Sequence, residues 1–155
     1  GYLIECCLRW TAERGIRIEP YGVDQSIRLV ERAKERLPQY ADRFFVANAL
    51  EWIPSMKFDF VLTELVYVPG EYERQFVDHL LTHVVKPGGR LLVASYAEDH
   101  PDVKSTLFPG SFPAPRILDR LATLGLTPVG HKDGFDPVKG RKMRVAILDC
   151  PLDSA

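Results

Sequence analysis

Short, nearly continuous apolar runs alternate along this chain with segments whose apolar residues recur every three or four positions. That alternation is the pattern of an α/β protein with a mostly parallel sheet. Leu3, Ile4, Cys7 and Leu8 share one helical stripe and predict a helix over residues 2–14, stopped by Gly15. Residues 16–23 predict a strand ending at Asp24, with Pro20 weakening its middle. Ser26 is placed to cap a helix carrying Ile27, Val30, Ala33 and Leu37, and Pro38 ends it. A short strand is expected over residues 43–47. Another is expected over 58–62, where the run is apolar enough to be buried on both faces.

Farther along, Pro69-Gly70 turns the chain into a helix with Glu71 and Glu73 in its first turn, where the helix dipole favours acids. Its inward stripe is Tyr72, Phe76, Leu80 and Val84. Lys86-Pro87-Gly88-Gly89 stops it and leads into a strand over 90–94. A loop punctuated by proline and glycine follows over 97–113. Pro115 then suits the first turn of a helix burying Ile117, Leu118, Leu121 and Leu124 and ending at Gly125. Residues 126–131 and 143–149 read as two last strands, antiparallel because no helix separates them.

Composition narrows the class. The 155 residues suit one domain, and 46% hydrophobic with 26% charged residues is the balance of an ordinary soluble globular protein. A formal net charge of -1 gives no general pull toward phosphates, which argues against nucleic acid as partner. Three cysteines, two of them adjacent, make no disulfide framework, so a reducing cytoplasm is expected. No apolar run approaches the roughly 20 residues of a membrane helix.

Four segments carry a resemblance: YGVDQS at 21–26, VANAL at 46–50, FDFVLTEL at 58–65 and KPGGRLLV at 86–93. In this order, followed by a helix and two strands, the chain resembles the class I S-adenosylmethionine-dependent methyltransferases over nearly its whole length. The resemblance implies a doubly wound, mostly parallel Rossmann-like sheet closed by an antiparallel strand pair. It also implies S-adenosyl-L-methionine as cofactor. In that family the first strand ends in a D-x-G-x-G-x-G loop, and Gly1 looks like its last glycine. The chain is therefore expected to be truncated, lacking a strand that lies mid-sheet between those at 16–23 and 58–62. Two strand edges would then have no partner, and the chain alone is expected to be marginally stable or prone to aggregate.

The resemblance also assigns cofactor-binding roles. Asp24, at a strand's C-terminal end, can accept two hydrogen bonds from a ribose diol, although the local sequence equally suits a residue that only caps the next helix. Asn48 stands where its amide oxygen can accept from the adenine amino group, and Ala49 offers a backbone N–H to a ring nitrogen. Alternatively, Asn48 is a turn former after a strand. Gln25 and Leu50 would flank the ring, and Gly1 and Thr63 complete the cofactor set.

On the acceptor side, Glu64, Tyr67 and Tyr96 are the catalytic candidates, and His100 is a second choice of base; Glu64 alternatively stabilises the sulfonium, binds the substrate, or is a solvated loop acid. The amino-group methylases of nucleic acids have two prolines where this chain has Leu65-Val66, so a small-molecule acceptor is preferred over a base. Tyr67 and Tyr96 can face a methyl-bearing cation through their rings or simply pack. The 97–113 loop is expected to form part of the acceptor pocket. His79 and His83, four apart on a helix, have no visible third ligand, and no metal is expected. Cys6 and Cys7 read as core filler, and the basic stretch at 139–144 as a solvated turn.

Two other readings stay open. A nicotinamide-dependent oxidoreductase also places an acid about 20 residues beyond its glycines. A catalytically inactive methyltransferase-like scaffold would tolerate a lost glycine loop.

Overall fold

A computed structural model describes residues 1–96, 98, 116–137 and 140–152. The 97–113 loop (Glu98 apart), His100 and Lys139 lie outside the described residues. The chain divides into two compact units, Gly1–Trp52 and Ile53–Ala155.

The first unit follows the order helix, strand, helix, strand: α1 (Tyr2–Ala12), β1 (Gly22–Asp24), α2 (Ile27–Arg36) and β2 (Phe44–Val46). Gly15, at φ 68°, turns the chain after α1 as expected. The predicted strand at 16–23 is cut to three residues. Pro20 brings no N–H to a ladder, and the chain from Ile16 to Tyr21 runs without regular structure. β1 pairs with β2 in parallel, Gly22 opposite Phe44 and Asp24 opposite Val46. Ser26 caps α2, its side chain accepting the Leu29 N–H at 3.4 Å. Val30, Ala33, Leu37 and Phe44 form the core, with Ile4, Leu8 and Tyr40 packed against it. Two expected core residues fall outside it, Leu3 at 41% and Ile27 at 61% exposure. In each case the buried stripe is narrower than the apolar one.

The second unit contains β3 (Phe58–Glu64), α3 (Glu73–His79), β4 (Val85–Ser95), α4 (Ile117–Thr123), β5 (Gly130–Asp136) and β6 (Arg141–Asp149). Its sheet has the order β3-β4-β6-β5. β3 and β4 are parallel, and β6 runs antiparallel to both β4 and β5, so the closing pair is antiparallel as expected. β5 begins at Gly130, four residues past the predicted start at 126, and runs on to Asp136. Pro128 has no N–H for a ladder, and pairing starts only where Val129 N–H reaches the Ile147 carbonyl at 2.8 Å.

β4 starts five residues earlier than predicted because Lys86-Pro87-Gly88-Gly89 forms an irregularity inside the strand. Phe58 pairs with Val85, but Phe60 already pairs with Arg90. Gly88 sits at φ 76°. Gly89 is needed for close approach, since a Cβ there would lie 2.8 Å from the Asp59 carbonyl oxygen.

One face of this sheet is buried. Leu91 pairs with Leu148 and Val93 with Ala146, and all four are at most 4% exposed. α3 supplies Phe76 and Val77 to this core, the π-type turn after it Leu80 and Val84, and α4 Ile117 and Leu121. Each of the large side chains contributes about 1.5–3 kcal/mol relative to exposure.

The opposite face corrects the sequence reading. Phe60 is 66% and Leu62 44% exposed, so β3 is not covered on both sides. Tyr72, expected inward, is 47% exposed because the turn at Gly70–Tyr72 precedes the regular helix. Among the described residues, β1 and β3 each have one edge without a strand partner.

Candidate functional site

Asp24 ends β1, and its exposed carboxylate is held by a neighbour: Oδ1 accepts the Ser26 N–H at 2.8 Å. Its backbone carbonyl takes the Ala47 N–H at 3.1 Å, which ties the end of β1 to the residue before Asn48. Asn48 opens a tight turn. Its carbonyl accepts from Glu51 and Trp52, and its side-chain Oδ1 accepts the Leu50 N–H at 3.1 Å. The same Oδ1 accepts Gln25 Nε2 at 3.2 Å.

Asp24, Gln25, Asn48, Ala49 and Leu50 therefore gather at the C-terminal ends of two parallel strands, where open α/β sheets bind ligands. Both bland alternatives are also realised. Asp24 does support the start of α2, and Asn48 does form a turn. Gly1 belongs to the same unit and packs on α2, where a Cβ would lie 2.9 Å from Ala33 Cα.

The second unit brings Glu64 and Tyr96 together. Glu64 ends β3 opposite Ala94, and the chain past β4 carries Tyr96 back to it. The Tyr96 hydroxyl donates to the Glu64 carboxylate. Burial pushes the Glu64 carboxyl above its usual range, and the Tyr96 hydrogen bond opposes that shift. A half-buried carboxyl of raised pKa at a strand end can hold or release a proton nearer neutrality than an exposed one.

Thr63 is the strand neighbour of Glu64 and so points to the other face, the side of fully buried Val93. Tyr67 is 74% exposed, in the short turn after Leu65.

Several contacts around this end have no local sequence signal. Arg120 on α4 donates through Nε to Glu73 Oε2 at 2.8 Å and through Nη2 to Glu73 Oε1. Its Nη2 also reaches the Leu65 carbonyl at 3.2 Å. Glu73, expected only as a first-turn acid, has a side chain that is just 6% exposed. Glu98, also buried, accepts the Ile117 N–H at 2.8 Å and so caps α4 from outside the helix.

The basic stretch is partly spoken for. Arg144 grips Asp133 with two hydrogen bonds, of 2.6 and 2.8 Å, and holds its carboxyl well below the usual range. Lys142 Nζ lies 3.5 Å from Asp133 as well.

The His79 and His83 rings lie 5.0 Å apart, and no group of three metal-ligating side chains occurs among the described residues. Cys6, Cys7 and Cys150 are free thiols, and burial, with Cys6 alongside, pushes the Cys7 thiol up. No helix among the described residues is long and apolar enough to cross a membrane.

Parallel strand pairs with intervening helices, closed by an antiparallel pair, make this a Rossmann-like fold of the type found in S-adenosylmethionine-dependent methyltransferases. Solved structures that share it include the N-methyltransferase NodS from Bradyrhizobium japonicum in complex with S-adenosyl-L-homocysteine. That pair has a TM-score of 0.61 at 17% identity, covering 83% of this chain and 65% of NodS. The magnesium protoporphyrin IX methyltransferase ChlM from Synechocystis, with S-adenosylhomocysteine bound, matches at TM-score 0.56 and 19% identity, over 83% of this chain and 62% of its own. A SAM-dependent methyltransferase from Methanosarcina mazei matches at TM-score 0.60 and 18% identity, over 86% of this chain and 82% of its own. At such identities the likeness is one of fold. No sequence family and no curated protein matches the chain.

Proposed function

We propose that this chain carries the fold and binding residues of an S-adenosylmethionine-dependent methyltransferase that acts on a small-molecule acceptor. The observation that carries the reading is the grouping of Asp24, Gln25 and Asn48 at the strand ends of the first unit. The donors and acceptors there suit a nucleoside. A carboxylate accepts at about four lone-pair sites, so Asp24 can keep the Ser26 N–H and still take a ribose diol. The Leu50 N–H fixes the Asn48 carboxamide, and an adenine amino group can replace Gln25 on the same oxygen. The Ala49 N–H, without a partner among the described residues, is available to a ring nitrogen.

When bound, the cofactor supplies an electrophilic methyl group. The chain's own task is to hold the reactants in position, with Glu64 accepting or keeping a proton at the acceptor's nucleophilic atom. Tyr96 orients that carboxylate. Small-molecule acceptors are favoured by the net charge of -1 and by Leu65-Val66 in place of paired prolines. The NodS and ChlM structures are compatible with this, as enzymes described for methyl transfer to nitrogen and to a magnesium porphyrin.

Thermal-shift measurement with S-adenosylhomocysteine and with NAD tests the reading. A ligand at 100 times its Kd stabilises by about 2.7 kcal/mol, an easily read rise in Tm. Stabilisation by S-adenosylhomocysteine alone is expected. A rise with NAD and none with S-adenosylhomocysteine would replace methyl transfer with dinucleotide chemistry.

A further inference from the structure

Glu64 is the last residue of β3, and Leu65 is the first to leave the sheet. What holds that departure point decides where the Glu64 carboxylate stands. The Leu65 side chain is 1% exposed, and its carbonyl accepts Arg120 Nη2 at 3.2 Å. The same guanidinium forks onto both carboxylate oxygens of Glu73 at the start of α3. A planar fork fixed on a carboxylate has few rotational choices left, so the donor it aims at Leu65 is fixed as well.

The helix that carries Arg120 also holds the second strand exit. Its first backbone N–H, from Ile117, is accepted by buried Glu98, two residues beyond Tyr96. α4 therefore grips the chain one residue after Glu64 and two residues after Tyr96.

We propose that Arg120 is a positioning residue: braced on Glu73, it holds the Leu65 peptide so that the Glu64 carboxylate stays on the Tyr96 hydroxyl. The inference rests on the reading of Glu64 as the proton-handling group on the acceptor side. Arg120 acts here through geometry. Burial and the Tyr96 hydrogen bond, and not the charge of Arg120, set the acidity of Glu64. A simple structural ion pair would stabilise the fold equally well without touching Leu65.

The test is a carbon-13 NMR titration of the Glu64 carboxyl in the whole chain, assigned by its disappearance in Glu64→Gln. Arg120→Lys keeps a cation beside Glu73, but a single ammonium cannot reproduce the fork and reach Leu65 as well. With the exit loosened, water reaches Glu64 and the Tyr96 bond is lost with it; burial is the larger of the two opposing effects, so the titration midpoint is expected to fall toward the ordinary value of about 4.3. Tyr96→Phe removes only the opposing hydrogen bond, so there the midpoint is expected to rise. A folded Arg120→Lys chain with the wild-type midpoint would overturn the proposal.

If Arg120→Lys does not fold, the double variant Arg120→Met with Glu73→Gln leaves no buried charge alone and is read in the same way. Failure of the double variant to fold would also overturn the proposal, because the pair would then hold the fold and not the strand exit. The titration needs no methyl donor. A chain that shows these midpoints yet never transfers a methyl group would keep the Arg120 assignment and lose the proposed function. In an active protein, Arg120→Lys is expected to lower turnover at unchanged affinity for S-adenosylhomocysteine; a misplacement of ~1 Å can cost about 100-fold.

Discussion

Replacing Asp24 with alanine separates the two tasks open to its carboxylate. The bond seen is the one from the Ser26 N–H at 2.8 Å, and it supports the start of α2. It lies in the open, where water substitutes readily, so its loss is expected to cost only about 0.5–1 kcal/mol of stability. Two hydrogen bonds from a ribose diol to the same carboxylate are charge-assisted and contribute roughly 1.5–3 kcal/mol each. The exposure of Asp24 points to the lower end, about 3 kcal/mol in all, or roughly a 150-fold weaker Kd.

Isothermal titration calorimetry with S-adenosylhomocysteine, beside a urea melt of each variant, reads both quantities. Asp24→Asn retains an oxygen for Ser26 but loses the charge and one acceptor, so its affinity is expected to fall by about tenfold at nearly wild-type stability. Wild-type affinity in Asp24→Ala, with only the small loss of stability, would reduce Asp24 to a helix-capping aspartate and refute the ribose argument.

Three further outcomes are expected. Glu64 has a folded-state pKa above its unfolded value, so its contribution is fully present below about pH 4.3 and is lost as pH rises through the folded pKa. Glu64→Gln should therefore match or trail the wild type in acid and exceed its stability near neutral pH; a gap independent of pH in urea melts would contradict the burial argument. Gly89→Ala forces a Cβ to within 2.8 Å of the Asp59 carbonyl and 2.9 Å of the Lys86 carbonyl, and is expected to destabilise by about 1–3 kcal/mol in the same assay. Phe60 is 66% exposed on a strand with one edge unpaired among the described residues, so Phe60→Lys is expected to reduce self-association in light scattering, and equal scattering would show that β3 is not the adhesive element.

Much of the element order was legible because it depends on neighbouring residues. Ser26 before the Val30/Ala33 stripe marks the start of α2, Gly15 and Gly125 mark helix exits, and the absence of a helix between the last two strands dictates that they run antiparallel. Proline disturbed two readings for one reason: Pro20 and Pro128 supply no N–H, so β1 shrank to three residues and β5 began beyond its predicted start. The apolar run at 58–62 signalled a strand correctly, but a run cannot say what covers each face. Phe60 and Leu62 lie on the face that is left exposed.

By itself, then, the sequence determined the α/β alternation, the Ser26 cap of α2 and the strand-end positions of Asp24, Asn48 and Glu64, all of which arise from periodicity and contacts within a few residues. The tertiary structure alone decided which side chains meet across long separations. Tyr96 reaches Glu64, and Arg120 joins Glu73 and Leu65 from 47 and 55 residues away. Such pairs form because parallel strands bring distant chain exits to one end of a sheet and the helix packed there supplies polar partners for what it buries. That coincidence depends on packing, and no local pattern encodes it.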